Sequence, residues 1–179
     1  MNVPDFINRI ARIQKEFDVG AKKAAQTIAV TGLSLIKDRI QKNGVKGRSY
    51  SRNRIPLYYL KGKELNAGGR QYIEEQEESV HDGSYYEFRV ANGRQVRVVD
   101  LTFSSRMWNG FQFIRAYNFG VDTYCAETGG TDTEVDNKLG WAQDRYGKDV
   151  FDPTQQEQDE LDEIGRDFLA DFLQNALDE

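Results

Sequence analysis

The sequence predicts an α+β chain in which N-terminal helices and a long C-terminal helix pack on a small antiparallel β-sheet of about four strands, with a long basic loop between. Three observations predict it. Apolar residues recur at helical spacing near both ends, side chains alternate over residues 85–99 and again from 111, and residues 43–70 keep neither period. A length of 179 residues favours one domain spanning 1–179.

The elements follow in chain order. Phe6, Ile10, Ile13 and Phe17 step by four, three and four residues, which predicts an amphipathic helix from about Pro4 to Val19, with Pro4 suited to its first turn. A second helical pattern runs from Ala21 to about Lys42, with Ala25, Ile28, Leu35, Ile36 and Ile40 on or near one face. Gly20 and Gly32 leave open one helix, two, or a kinked one.

Residues 43–70 read as an extended basic loop or arm. Its candidate interface residues are Lys46, Arg48, Tyr50, Arg52, Arg54, Tyr58 and Tyr59. Arginines interleaved with tyrosines suit an arm that docks on a neighbouring subunit, and equally suit phosphates and stacked bases; docking is the reading adopted.

Alternation from Tyr85 to Val90, the turn signal Asn92-Gly93 and renewed alternation from Gln95 to Val99 predict a β-hairpin over 85–99. Phe111 to Ala116 and Val121 to Ala126, joined through Asn118-Phe119-Gly120, predict two more strands. Asp152-Pro153 offers an N-cap followed by a first-turn proline. Leu161, Ile164, Phe168, Leu169, Phe172 and Leu173 then recur at helical spacing, placing a helix over 152–177.

Charge is unevenly distributed. Residues 1–70 hold 15 Lys and Arg against 5 Asp and Glu, a net of +10, whereas residues 71–179 hold 9 against 24, a net of −15. Identical copies placed head to tail can set a basic face against an acidic one; a basic face for nucleic acid, or a merely solvated surface, would have the same composition. Cys125 is the single cysteine, so no internal disulfide is possible, and a reducing cytosol suits the chain. Neither a signal-peptide start nor a stretch of about 18 apolar residues occurs, so export by that route and membrane spanning are not expected.

Candidates for chemistry are few. His81, the one histidine, lies beside the turn sequence Asp82-Gly83 and reads as an exposed loop residue rather than a base. One Cys and one His make no zinc spacing, and Gly44-Val45-Lys46-Gly47 is too short for a phosphate-binding loop. Glu74, Glu75, Glu77 and Glu78 can in principle supply carboxylates for a metal-dependent nuclease, but no second carboxylate motif singles itself out, and a charged surface segment explains them better. No cofactor, metal or catalytic residue is expected.

The order of helices, basic Tyr-Ser-Arg loop, the phrase Val99-Asp100-Leu101-Thr102-Phe103-Ser104-Ser105-Arg106-Met107-Trp108, strands, and Arg145-Tyr146-Gly147-Lys148-Asp149-Val150-Phe151-Asp152-Pro153-Thr154 before a final helix resembles the tailed-bacteriophage virion-morphogenesis proteins. These are tail-completion or head-tail connector subunits of the neck. In that family a Val-Asp-Leu-Thr step precedes a threonine-glycine-acidic-methionine turn; here Ser104-Ser105-Arg106 replaces the first part and Met107 keeps its place. The resemblance implies a structural virion subunit, assembled in the host cytoplasm, forming a homo-oligomeric ring in the neck. Its partners would be the portal-side connector or head-completion protein and the tail tube or tail terminator, with DNA passing through the lumen. The alternatives are a nucleic-acid-binding module using Arg48, Arg52, Arg54 and Lys61 to Arg70, and a small metal-dependent nuclease. On the leading reading the basic loop and the segment Thr128 to Asp136 reach neighbouring proteins and order on assembly.

Overall fold

The computed structural model describes residues 3–55, 65–78, 83–102, 105–120 and 123–178. Within them the chain is a mixture of helix and strand. Helix α1 (Val3–Asn43) is one unbroken element, so Gly20 and Gly32 do not divide it into two helices. A Cβ added at Gly20 would stand 2.9 Å from the Phe168 ring, and one at Gly32 would stand 3.3 Å from Leu161. These glycines therefore admit a second helix close to α1 rather than interrupting it, at a cost of about 1 kcal/mol each in helix propensity.

That second helix is α6 (Gln155–Asp178). Its N-cap is Thr154, two residues beyond the expected Asp152: the Glu157 N–H donates to the Thr154 Oγ1 at 3.3 Å and the Thr154 N–H donates to Glu157 Oε2 at 2.7 Å. This reciprocal pair satisfies two first-turn donors, and Asp152-Pro153 becomes the approach to the helix. Helices α1 and α6 run antiparallel, tied by Arg39 to Glu157 at one end and by Arg9 to the Ala176 carbonyl at the other. Phe17 packs edge-on to Phe172 between them, at 5.1 Å.

Between these helices the chain departs from the expected four-stranded sheet and forms two separate two-stranded pairs. The first joins β1 (Arg54–Ile55) to β2 (Gly83–Ser84). Helix α2 (Ala67–Glu78) intervenes, capped by Asn66, whose Oδ1 accepts from the Gly69 N–H at 2.9 Å, so residues 67–70 belong to a helix and not to the basic loop. Residues 85–99 do not form a hairpin. Tyr85–Ala91 is helix α3, opened by a capping box between Ser84 and Glu87. Asn92-Gly93 closes this helix instead of turning a strand: Gly93 takes φ 64°, its N–H donates to Val90, and the Arg94 N–H donates to Arg89. That pair of bonds is a Schellman motif, which uses the same left-handed glycine that a hairpin turn would.

Helix α4 (Arg106–Gly110) leads into the hairpin β3 (Phe111–Asn118) and β4 (Tyr124–Gly130); β3 covers the strand expected at Phe111 to Ala116, whereas β4 runs past the expected end at Ala126 to Gly130, and Val121 and Asp122 lie outside the described residues. A register shift between Phe113 and Arg115 leaves Ile114 as the extra residue, exposed on the strand. The hairpin packs along α1. Residues 128–136, expected to order on assembly, are the end of β4 and the start of α5 (Thr133–Tyr146), whose N-cap Asp132 accepts from the Val135 N–H at 3.0 Å. A short 3₁₀ turn, Lys148–Phe151, completes the chain path.

The main core gathers Ile36 and Ile40 from the last turns of α1, Met107 and Trp108 of α4, Val135, Leu139 and Ala142 of α5, and Val150 and Phe151. A smaller cluster pairs Ile73 of α2 with Phe88 of α3. Among the described residues no helix is long and apolar enough to cross a membrane.

Candidate functional site

The basic segment is laid against the body of the protein, from Val45, whose N–H donates to the Val99 carbonyl, to Ser51, whose carbonyl accepts from the Tyr86 N–H. Lys46, Arg48, Arg52 and Arg54 project from it into solvent. The Arg52 guanidinium lies 4.3 Å from the centre of the Tyr86 ring, so part of its surface is already covered. Tyr50 departs from its expected role as a partner- or DNA-facing residue, because it is buried. Tyr58, Tyr59, residues 61–64 of the Lys61 to Arg70 stretch, and His81 lie outside the described residues.

Tyr50 belongs to a buried polar network centred on Asp100. Arg89, 1% exposed, donates to Asp100 Oδ1 at 3.2 Å and to the Gln95 carbonyl at 3.0 Å, and stacks over the Tyr50 ring at 4.2 Å. The Tyr50 hydroxyl donates to Asp100 Oδ1 at 2.7 Å, and the Thr102 N–H donates to the same oxygen at 2.9 Å. Gln95 donates to the other carboxylate oxygen, and the Trp108 indole donates to the Asp100 carbonyl at 3.2 Å. Leu101 adopts φ 54°, the backbone cost of turning Thr102 back onto Asp100. Burial, and then the bond to Asp100, push the Tyr50 pKa well above the usual tyrosine value.

This arrangement gives the Val99-Asp100-Leu101-Thr102 phrase a structural meaning. A buried arginine needs a buried carboxylate with its remaining lone pairs satisfied. Asp100 supplies that charge and joins the main core, through Trp108, to the smaller cluster, through Tyr50 and Tyr85, whose rings stand 5.7 Å apart. The network ties α3 and the segment around Tyr50 to the main core.

Other titratable groups are placed by local structure. Hydrogen bonds from Ser84, first its side chain and then its N–H, hold Glu87 below the usual glutamate range. Burial opposes ionisation of Glu157, yet the Thr154 N–H, the Arg39 guanidinium and the Thr154 hydroxyl together hold its pKa low. Burial and a hydrogen bond with Glu87 push Tyr72 up to about 12. Glu74 and Glu75 are exposed on α2, where Gln71 donates to Glu75 at 2.8 Å; the side chains of Glu77 and Glu78 are outside the described set. Among the described residues no three His, Cys, Asp or Glu side chains are grouped to hold a metal ion.

The surface carries a different kind of candidate. The apolar stripe by which α1 meets α6 continues to its amino-terminal end, where Val3, Phe6, Ile7 and Ile10 lie exposed. Leu169 and Leu173, one turn apart on α6, and Phe119, 70% exposed beyond the end of β3, are also bare. A groove of about 340 Å³ between α1 and β3, lined in part by Val30, Leu33, Trp108, Phe111 and Phe113, opens on the other half of α1. Sequence periodicity identifies Phe6 and Ile10 as members of an apolar face, but not that the face outruns its cover.

Charge divides along the same helices. Helix α1 holds 8 Lys and Arg against 4 Asp and Glu, while α6 holds 1 against 8. Part of the polarity expected to act between copies is therefore met within the chain, where the basic helix lies on the acidic one. Comparison with protein-family models, with characterised proteins and with solved structures finds no match.

Proposed function

We propose that the chain is a structural subunit that assembles with copies of itself, as a ring in the neck of a tailed-phage virion that joins the head connector to the tail around the DNA channel. The observation that carries the self-assembly is the bare apolar row at the start of α1. Four large apolar side chains on one helical face are a substantial association surface, and with roughly half of each already covered, burying the rest contributes about 1–2 kcal/mol apiece. The division of charge along the sequence, +10 over residues 1–70 and −15 over 71–179, is met only in part within the chain, and the rest suits a heterologous contact, the type that closes into rings when its rotation permits. The neck location rests on the Val99-to-Trp108 and Arg145-to-Thr154 phrases and their order in the chain.

On this reading the exposed Lys46, Arg48, Arg52 and Arg54 face either DNA in the lumen or the acidic surface of a neighbour. The role is structural, without turnover. Negative-stain microscopy of the purified chain at high concentration and low salt tests it, together with immunogold labelling of tailed particles. Closed rings and label at the head-tail junction are expected; a monomer at every concentration, absent from mature particles, contradicts it.

A second reading, nucleic-acid binding, draws on the same four exposed cations. Filter binding with duplex DNA distinguishes it. Tight binding by the monomer, lost with salt and on neutralising Arg48, Arg52 and Arg54, would favour that reading.

A further inference from the structure

We propose that Lys46, Arg48 and Arg97 form one cationic face that binds the phosphate backbone of duplex DNA. The inference rests on the reading above of the exposed cations as contact groups, and it chooses between the two occupants named there.

Two stretches far apart in sequence meet at this face. The Val45 N–H donates to the Val99 carbonyl at 3.0 Å, and a Cβ added at Gly44 would stand 2.5 Å from the Val98 side chain, so the chain leaving α1 lies directly on the segment before Asp100. Residues 45–48 form a tight turn, closed by the Arg48 N–H on the Val45 carbonyl at 3.1 Å. A turn of this kind keeps the Cα atoms of Lys46 and Arg48 within about 7 Å of that of Val45. Arg97 stands two residues before Val99, a separation of at most about 8 Å between Cα atoms. Gly44, Tyr50 and Val99 are buried beneath, while Lys46, Arg48 and Arg97 are exposed and make no ion pair with any described residue.

The two stretches carry one sign of charge. Residues 43–54 hold four Lys and Arg and no Asp or Glu, and residues 88–99 hold three Arg and no Asp or Glu. The carboxylates that flank them along the chain are engaged: Asp38 with Lys42 at 2.8 Å, Asp100 with the buried Arg89, and Glu87 with Ser84 and Tyr72. Arg54 adds to the field on Glu87, so the face proper is the other end of the segment, around the turn.

Chemistry separates the two occupants. The centre of a protein interface is apolar and poor in charge. Among the described residues no large apolar side chain is exposed over 43–54 or 91–99. Beside the cations the exposed groups are Gly47, Ser49 and Asn53, neutral donors and bare backbone of the kind that meets phosphate oxygens. Gly47, at φ 70°, has nothing within 4 Å of the place a Cβ would take, so a nucleic-acid strand can approach the turn closely. A duplex carries one charge about every 1.7 Å of its axis, so cations rooted this close together each find a phosphate.

Fluorescence anisotropy of a short labelled duplex, titrated with the full chain from low to moderate salt, tests the face. The double variant Lys46→Gln, Arg97→Gln should bind several-fold more weakly than the parent, and its log–log dependence of affinity on salt should be shallower by about 2, close to one per cation removed. Arg97→Gln alone should show about half of that change in slope. Lys22→Gln with Lys23→Gln, exposed on α1, removes the same charge elsewhere and should leave binding nearly unchanged. No binding by the parent at low salt, no effect of Arg97→Gln, or equal losses in the two double variants overturns the proposal. So does a labelled polyglutamate bound as tightly as the duplex, which would assign the face to an acidic protein surface. Sedimentation keeps the levels apart: a parent that assembles without binding DNA loses this face alone, a monomer that binds through it loses self-assembly alone, and a monomer that binds nothing loses both.

Discussion

The two ends of α1 carry the same kind of apolar stripe and meet different fates. At the carboxyl-terminal end Ile36 and Ile40 enter a core closed by Trp108, Val135, Leu139 and Phe151, and the Arg89–Asp100 pair fastens that core to α3. At the amino-terminal end Val3, Phe6, Ile7 and Ile10 face solvent. Helical periodicity is thus a statement about a face, and only the tertiary neighbours determine whether the face serves stability or association. Nothing local distinguishes the two ends, because a helix once formed extends at little further cost.

That contrast is sharpest where substitutions at the packed end cost stability and those at the bare end do not. Asp100→Ala should have the largest effect, about 3–5 kcal/mol in urea unfolding, because it leaves Arg89 buried without its counter-charge. A loss below about 1 kcal/mol would mean the network is not a keystone. Ile40→Ala, which opens a cavity in the main core, should cost about 2–4 kcal/mol in the same assay. Tyr50→Phe keeps the ring over Arg89 but removes one donor to Asp100, for a loss of about 1–3 kcal/mol. Because the Tyr50 pKa is raised, the parent also loses stability as pH rises past the ordinary tyrosine value, and the phenylalanine variant should lack that share of the alkaline loss.

Glu157→Gln should have a smaller effect, about 0.5–2 kcal/mol near neutral pH, as expected for a weakened cap and a lost partner of Arg39. The pKa of Glu157 is lowered, so its contribution is present above the ordinary glutamate value and disappears as pH falls through the lowered folded value. Thermal melts across the acid range should therefore show a shallower acid loss in the variant; parallel curves would assign Glu157 no such role.

Much of the fold was legible where one period persists. Both terminal helices and the strand at Phe111–Asn118 follow from spacing alone, while Tyr124–Gly130 shares only its first residues with the strand expected at Val121 to Ala126. Helix α3 was not legible, because Tyr85, Tyr86 and Val90 favour strands and Asn92-Gly93 serves a helix end as well as a hairpin. The deciding contact, Arg89 with Asp100, spans 11 residues and is tertiary. Helix α5 was open to detection: Val135, Leu139, Ala142 and Tyr146 step by four, three and four behind an Asp132 cap. Among the proposed interface residues, composition marked the exposed arginines, but the burial of Tyr50 depends on a carboxylate 50 positions away.

Sedimentation velocity of the parent chain beside a Phe6→Ser, Ile7→Ser double variant, over a concentration series at low salt, tests the division most directly. The account predicts that the parent associates with rising concentration and the variant stays monomeric, while their unfolding free energies, measured on monomer, agree to within about 0.5 kcal/mol per site. Equal association by both, or a variant several kcal/mol less stable as a monomer, would contradict it.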